Sequence, residues 1–230
     1  MRIWTVDDVM THAVVSVTET ATYRSVVDLL IGRRFSAVPV VDAFQRVSGV
    51  VSEADLVRKI EYAGDEAPRL FESRRRRGDR GKALAGTAAD LMSAPAVTVL
   101  AGTPIAAAAR RMDSAKVKRL PVVDDLGRLV GVVTRGDLLK VHLRPDDDIR
   151  ADVEAGALAG LTGEIKAGEI KAGVSDGVVT LDGRVAQAST AEEAGRLTRL
   201  VPGVADVVNQ IRFDYDDRAI LATGLGYGVA

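Results

Sequence analysis

The feature that most constrains this chain is that much of it is written twice. Val9, Met10, Pro39, Val40, Val41, Asp42, Gly49, Val50, Val51 and Asp55 recur as Leu91, Met92, Pro121, Val122, Val123, Asp124, Gly131, Val132, Val133 and Asp137, each 82 residues further on and with no gap. Copies related by one constant offset fold alike, and two like modules imply an interface in which each covers the other's apolar side. Each copy closes on a related segment, Gly49-Val50-Val51-Ser52-Glu53-Ala54-Asp55 and Gly131-Val132-Val133-Thr134-Arg135-Gly136-Asp137. In both, a hydroxyl and a carboxylate stand three residues apart.

The pattern within a copy reads strand, helix, strand, strand, helix. In the first copy an extended segment at 14–17 precedes a helix over 20–34, where Val26, Val27, Leu30 and Ile31 recur at helical spacing. A hairpin follows, with strands at 37–42 and 47–51 and a turn at Gln45-Arg46, and then a helix from 53 to 60. The second copy repeats this order with an extended segment at 96–99, a helix over 104–113, strands at 120–123 and 129–133, and a helix over 135–141. Pro104 suits the first turn of its helix, with Thr103 as the cap. Beyond Pro145 the composition changes, and helix, strand, strand, helix, strand are expected over 149–161, 170–174, 178–185, 189–200 and 204–213. The expected organisation is residues 1–60, a charged linker 61–86, residues 87–143, a separate small domain 146–214 and a tail 215–230. The fold class is α/β (α+β).

Composition narrows the function classes. Formal net charge is -1 from 31 basic and 32 acidic residues, so no global field draws the protein to nucleic acid or a membrane. There is no cysteine, which removes disulfides, thiolate metal sites and one common nucleophile. His12 and His142 are the only histidines, at the copy edges and with no nucleophile arrangement beside them. The charged first residues and the short alanine-rich stretches resemble neither an export signal nor a membrane span, so a cytoplasmic location is expected. The linker carries Arg74-Arg75-Arg76-Arg77 and Leu70-Phe71. Two readings stay open for it: a solvated connection, or an electrostatic contact with nucleic acid or an acidic partner.

Ser52 and Thr134 each follow a strand and precede helical sequence. One reading is a capping box, the hydroxyl serving backbone N–H groups and the acid reaching back to the cap. The other uses the same geometry for a ligand: helix N-terminal N–H groups and the hydroxyl hold a phosphate, while the carboxylate accepts from a ribose diol.

The two copies resemble a tandem cystathionine-beta-synthase (CBS) domain pair, on Asp8-Val9-Met10-Thr11, Ala37-Val38-Pro39-Val40-Val41-Asp42 and the Gly49–Asp55 segment, with Asp90-Leu91-Met92-Ser93, Arg119-Leu120-Pro121-Val122-Val123-Asp124 and the Gly131–Asp137 segment. The resemblance implies two repeats packed as a Bateman module, with a cleft for adenosine-containing ligands. It would place Asp55 and Asp137 on ribose hydroxyls, Ser52 and Thr134 near phosphate, and Ala37, Val38, Pro39, Arg119, Leu120 and Pro121 beside adenine. Val15, Ser16, Val17, Val97, Thr98 and Val99 would supply backbone edges and apolar surface. Arg34, Lys116, Lys118, Arg119 and Arg135 are phosphate partners by charge. Because Arg135 follows Thr134 whereas Glu53 follows Ser52, the second site is expected to favour polyphosphates and the first to take adenosine or a monophosphate or to stay empty. AMP, ADP, ATP, NAD and S-adenosylmethionine are the implied ligands, with Mg as a companion to polyphosphate. Phe35 and Phe44 are read either as base contacts or as core or interface residues.

Residues 146–214 resemble a BON domain, with the order αββαβ, on Gly177-Val178-Val179-Thr180-Leu181-Asp182-Gly183-Arg184-Val185 and Val201-Pro202-Gly203 through Ile211. That family is associated with membranes and phospholipids, but Lys166 and Lys171 face seven nearby acids and make no polybasic surface. The combined expectation is a non-catalytic adenine-nucleotide sensor that forms a homodimer through its CBS domains and contacts a protein partner through its BON domain. The alternatives are a ligand-free dimerisation scaffold and a nucleic-acid-associated protein using Arg74–Arg77.

Overall fold

The computed structural model describes residues 3–61, 86–161 and 170–218. The linker arginines Arg74–Arg77, Leu70-Phe71, Lys166 and most of the tail lie outside these residues. The chain divides into two units, one of Thr5–Leu138 and one that runs from Leu139 onward and includes the residues up to Trp4.

In the first unit, copy one contains β1 (Val17–Thr18), α1 (Tyr23–Arg33), β2 (Ala37–Val41), β3 (Val47–Ser52) and α2 (Glu53–Glu61). Copy two contains α3 (Ala88–Leu91), β4 (Val99–Leu100), α4 (Ile105–Ser114), β5 (Arg119–Val123), β6 (Leu129–Thr134) and α5 (Arg135–Leu138). Helix α1 starts where Thr22 accepts from the Ser25 N–H, and it ends at Arg34, whose left-handed backbone (φ 55°) turns its N–H back onto Leu30 and Ile31 carbonyls. Between those ends Val26 and Leu30, one turn apart, are buried against the sheet. Every residue of β2 is buried, as expected of a central strand covered on both faces.

Both three-stranded sheets have the order first-second-third, with a parallel pair and then an antiparallel hairpin. Register repeats with the sequence: Val17 opposite Val40 becomes Val99 opposite Val122, and Ala37 opposite Ser52 becomes Arg119 opposite Thr134. Even the irregularity between Val40 and Val41 recurs between Val122 and Val123.

The leading segments of the copies are exchanged. Val6 N–H donates to Thr103 O (2.8 Å) and Thr11 exchanges two backbone bonds with Val132 (3.0 Å each), so the start of copy one lies on copy two. Reciprocally, Ala88 N–H donates to Ala21 O (2.8 Å), and Ser93 exchanges bonds with Val50 on copy one (2.9 and 3.2 Å). Met10 packs on Gly131 and Met92 on Gly49; a Cβ on Gly49 would stand 2.9 Å from Met92 Cβ. Val6, Val9 and Leu91, at 0–3% exposure, are each worth about 1.5–3 kcal/mol of burial. The hairpin tips also join, through Val47 N–H to Gly127 O (3.1 Å) and Leu129 N–H to Gln45 O (2.9 Å).

Several local expectations are corrected. The extended segments at 14–17 and 96–99 form strands only at Val17–Thr18 and Val99–Leu100, and in copy one the Val14 N–H closes a turn on His12 O instead. Pro104 is the cap of α4 itself, and the Thr103 hydroxyl donates to Leu100 O (2.6 Å). The helix expected over 135–141 ends at Leu138 and continues as a 3-10 helix over Leu139–Leu143. The short helix α3 and the 3-10 turn Val6–Asp8 were not expected at all.

The second unit contains α6 (Asp146–Asp152), β7 (Ile170–Ser175), β8 (Val178–Gln187), α7 (Ala188–Arg199) and β9 (Asp206–Tyr215). Helix α6 begins three residues earlier than expected, behind Pro145, and loosens into π-helical turns over Val153–Leu158 and a 3-10 turn at Ala159–Leu161. The sheet order is β7-β8-β9, antiparallel then parallel. Ile149, Val153, Leu181, Val179, Ala194 and Ile211 form its core. Among the described residues no helix is long and apolar enough to cross a membrane.

Candidate functional site

Strand register assembles the site. Because β2 and β3 are antiparallel, Ser52 at the end of β3 lies opposite Ala37 at the start of β2, and in copy two Thr134 lies opposite Arg119. Helices α2 and α5 begin at the next residue, so Asp55 and Asp137 fall in their first turns. The Ser52 N–H and hydroxyl both donate to Asp55 Oδ2, at 2.9 and 2.6 Å. Thr134 makes the same bonds to Asp137 Oδ2, at 2.9 and 2.7 Å, and its Oγ1 accepts from the Asp137 N–H at 3.2 Å. The capping reading therefore describes this state: hydroxyl and acid bind each other at a helix start. Ser52 and Thr134 are half-buried, Asp137 is half-buried, and Asp55 is only 5% exposed.

That motif alone is not distinctive, since Thr5 with Asp8 and Thr87 with Asp90 make the same box. What sets the strand-end pair apart is Arg119. Its guanidinium donates from Nη1 to Ala37 O (3.1 Å) and from Nη2 to the Ser36 hydroxyl. Ala37 and Arg119 occupy the same place in the two copies, so this one side chain links Ser52–Ala37 to Arg119–Thr134 in a single edge. Burial holds the Arg119 pKa below that of a free guanidinium, and the Glu53 carboxylate opposes the shift.

The other expected residues divide by position. Arg34 and Lys116 both adopt left-handed backbone (φ 55° each) just before β2 and β5, and both are exposed. Lys116 pairs with Asp113 at 3.2 Å. Lys118 is exposed, while its carbonyl accepts from the Arg135 N–H (3.1 Å). Arg135 is exposed and reaches Val117 O with Nη2 (3.2 Å). Val15, Ser16, Val97 and Thr98 are half-buried ahead of β1 and β4, with Val17 and Val99 in the strands. Pro39 and Pro121 are buried in β2 and β5. Val38 and Leu120 are fully sealed, Val38 inside the core of copy one. His12 and His142 are exposed. Phe35 packs partly buried against that core and Phe44 is 70% exposed at a hairpin tip. Sequence reasoning missed Ser36, which carries no signal beyond its place before β2. No group of three or more metal-ligating side chains occurs among the described residues.

Comparison with known proteins agrees with this architecture. The CBS domain model matches residues 6–62 and 88–144, and the BON domain model matches 145–215. The chain belongs to the CBS domain family and carries a BON domain after its CBS pair. The uncharacterized protein MJ1426 of Methanocaldococcus jannaschii is 29% identical over 154 residues, covering 60% of this chain and 91% of that protein. The chloroplastic CBS domain-containing protein CBSX1 of Arabidopsis thaliana is 30% identical over 135 residues, covering 54% of this chain and 57% of CBSX1. The crystal structure of CBSX2 in complex with AMP superposes with a TM-score of 0.54 at 30% identity, over 61% of this chain and 97% of that one.

Proposed function

We propose that this protein is a non-catalytic sensor of adenine nucleotides, with ligand held at the joined strand-end edge and the BON domain as output. The observation that carries the reading is the twinned hydroxyl–acid helix start on one edge with Arg119 between the copies, in a family whose relative CBSX2 holds AMP. On binding, Asp55 and Asp137 accept from ribose hydroxyls, and helix N–H groups with Ser52 and Thr134 hold phosphate. Arg34, Lys116, Lys118 and Arg135 add charge from the rim. The first site takes adenosine or AMP and the second takes ADP, ATP, NAD or S-adenosylmethionine, with Mg accompanying a polyphosphate. Val15–Val17 and Val97–Val99 supply backbone edges to the base. The protein acts in the cytoplasm as a homodimer through its CBS domains, and its BON domain binds a protein partner.

Calorimetry of the full chain with AMP, ADP, ATP, NAD and S-adenosylmethionine tests this. Saturable heat with at least one of them is the expected result. The complete cap at Thr134 and Asp137 favours a second reading, a ligand-free scaffold, and absence of heat and of thermal shift with all five would establish that instead.

A further inference from the structure

Strand β9 lies at the edge of the BON sheet, and its two halves are finished differently. The turn at Asp176-Gly177, with φ 51° and 75°, is of the two-residue kind whose flanking residues, here Ser175 and Val178, bond each other. Backbone groups alternate between the two edges of a strand, so the even-numbered residues of β8 face β7 and the odd-numbered ones face β9. In the parallel register Val179 stands opposite Val207 and bonds the residues on either side of it, which turns the N–H and C=O groups of Val207, Asn209, Ile211, Phe213 and Tyr215 outward. Side chains of the same strand close the first half of that edge: the Val207 N–H donates to Asp206 Oδ1 (2.8 Å) and the Ile211 N–H to Asn209 Oδ1 (3.2 Å). The second half is open. Among the described residues nothing accepts from the outward N–H groups of Phe213 and Tyr215, whose side chains are 42% and 55% exposed. Arg212 and Asp214 flank Phe213 on the opposite face of the sheet; Asp214 accepts from Arg184 Nε on β8 (2.6 Å), whereas Arg212 has no ion pair among the described residues.

We propose that the occupant of this open edge is the same edge of a second copy, two β9 strands pairing antiparallel about a two-fold axis at Phe213. An unpaired strand edge is a template for another strand, and a two-fold contact must be complementary to itself. The register centred on Phe213 meets that condition. Each Phe213 N–H donates to the Phe213 carbonyl of the other copy and each Tyr215 N–H to the Ile211 carbonyl of the other copy, so both free donors of each copy are used while the Ile211 N–H stays on Asn209. Phe213 then stacks on its twin, Ile211 lies opposite Tyr215, and Arg212 meets Asp214 of the other copy twice. Neighbouring registers fail. An axis at Arg212 or at Asp214 sets a charge against its own twin, an axis at Tyr215 sets Asp214 against Asp216, and an axis at Ile211 draws on the half already closed by Asp206 and Asn209. This self-pairing goes beyond the functional reading, needs no nucleotide, and is separate from pairing through the CBS domains.

The chain has no cysteine, so Phe213→Cys in the full chain places a single thiol on the axis, with its Cα about 5.5 Å from its twin and within disulfide reach. Val208→Cys is the control: it is 41% exposed on the same strand, but in this register ten residues of strand, about 34 Å, separate it from its twin. Oxidation is expected to give a covalent dimer from Phe213→Cys and none from Val208→Cys. Adding Arg212→Asp to Phe213→Cys should lower the yield about fivefold or more, by setting acid against acid twice, and adding Asp214→Arg as well should restore it. In the unmodified chain, amide exchange at Phe213 and Tyr215 should slow as protein concentration rises. Absence of cross-linking, equal cross-linking at both positions, or no recovery in the double reversal overturns the self-pairing and leaves the edge to an unlike chain. Exchange at Phe213 and Tyr215 that is independent of concentration overturns it as well, whatever the variants do.

Discussion

Replacing Asp137 by Asn separates capping from ligand binding. Asp137 Oδ2 accepts from the Thr134 N–H and hydroxyl at 2.9 and 2.7 Å. An asparagine whose amide oxygen takes the place of Oδ2 keeps both bonds, so the cap survives with a loss below about 1 kcal/mol. A ribose diol held by the carboxylate has no such substitute. Losing a hydrogen bond to a charged group costs about 1.5–3 kcal/mol, which weakens ATP about 10- to 150-fold. The assay is paired: urea unfolding of the protein without ligand beside ATP calorimetry. An Asp137→Asn protein that loses stability while keeping ATP affinity within twofold would refute the ribose role and leave only the cap.

Other substitutions test the scaffold. Gly49→Ala, whose Cβ meets Met92 at its own Cβ, should cost about 1–3 kcal/mol; Gly32→Ala in α1, with nothing within 4 Å, should stabilise by about 0.5–1 kcal/mol, both read by urea midpoints. Arg119→Met removes the bonds to Ala37 O and the Ser36 hydroxyl and should lower stability of the Thr5–Leu138 unit by about 1.5–3 kcal/mol, while Lys118→Met, at an exposed site, should change it by less than about 0.5 kcal/mol. The backbone N–H of Arg128, its side chain and the Leu126 N–H hold the Asp124 carboxyl below its ordinary value of 3.8. A depressed carboxylate stabilises the fold above its unfolded pKa and loses that contribution as pH falls through the folded one, so acid unfolding below about pH 4 should be less steep in Asp124→Asn. An unchanged slope contradicts that assignment.

The repeat made the fold legible because one offset carried both hairpins, both helices and even the irregular step at Val40 and Val122. Hydroxyl and acid were legible as well, since spacing along a helix start leaves them few partners but each other. Segment exchange was not: nothing local says that Met10 packs on the glycine of the other copy and not on its own. The short elements at Val6–Asp8 and Ala88–Leu91 did carry a signal, Thr5 to Asp8 and Thr87 to Asp90 at capping-box spacing, but a single turn has too few apolar residues for a periodic pattern. Arg119 was recognised by its charge, whereas its partners across the copies depend on tertiary contact that no spacing encodes. Thr103 shows the reverse error, a good cap residue that stands one position ahead of the cap, Pro104.

The most direct test of the central claim is a crystal structure of the full chain grown with AMP. The account predicts a ribose diol on Asp55 with the phosphate against the α2 helix start. AMP bound elsewhere, with both acids still closed on Ser52 and Thr134, would contradict it.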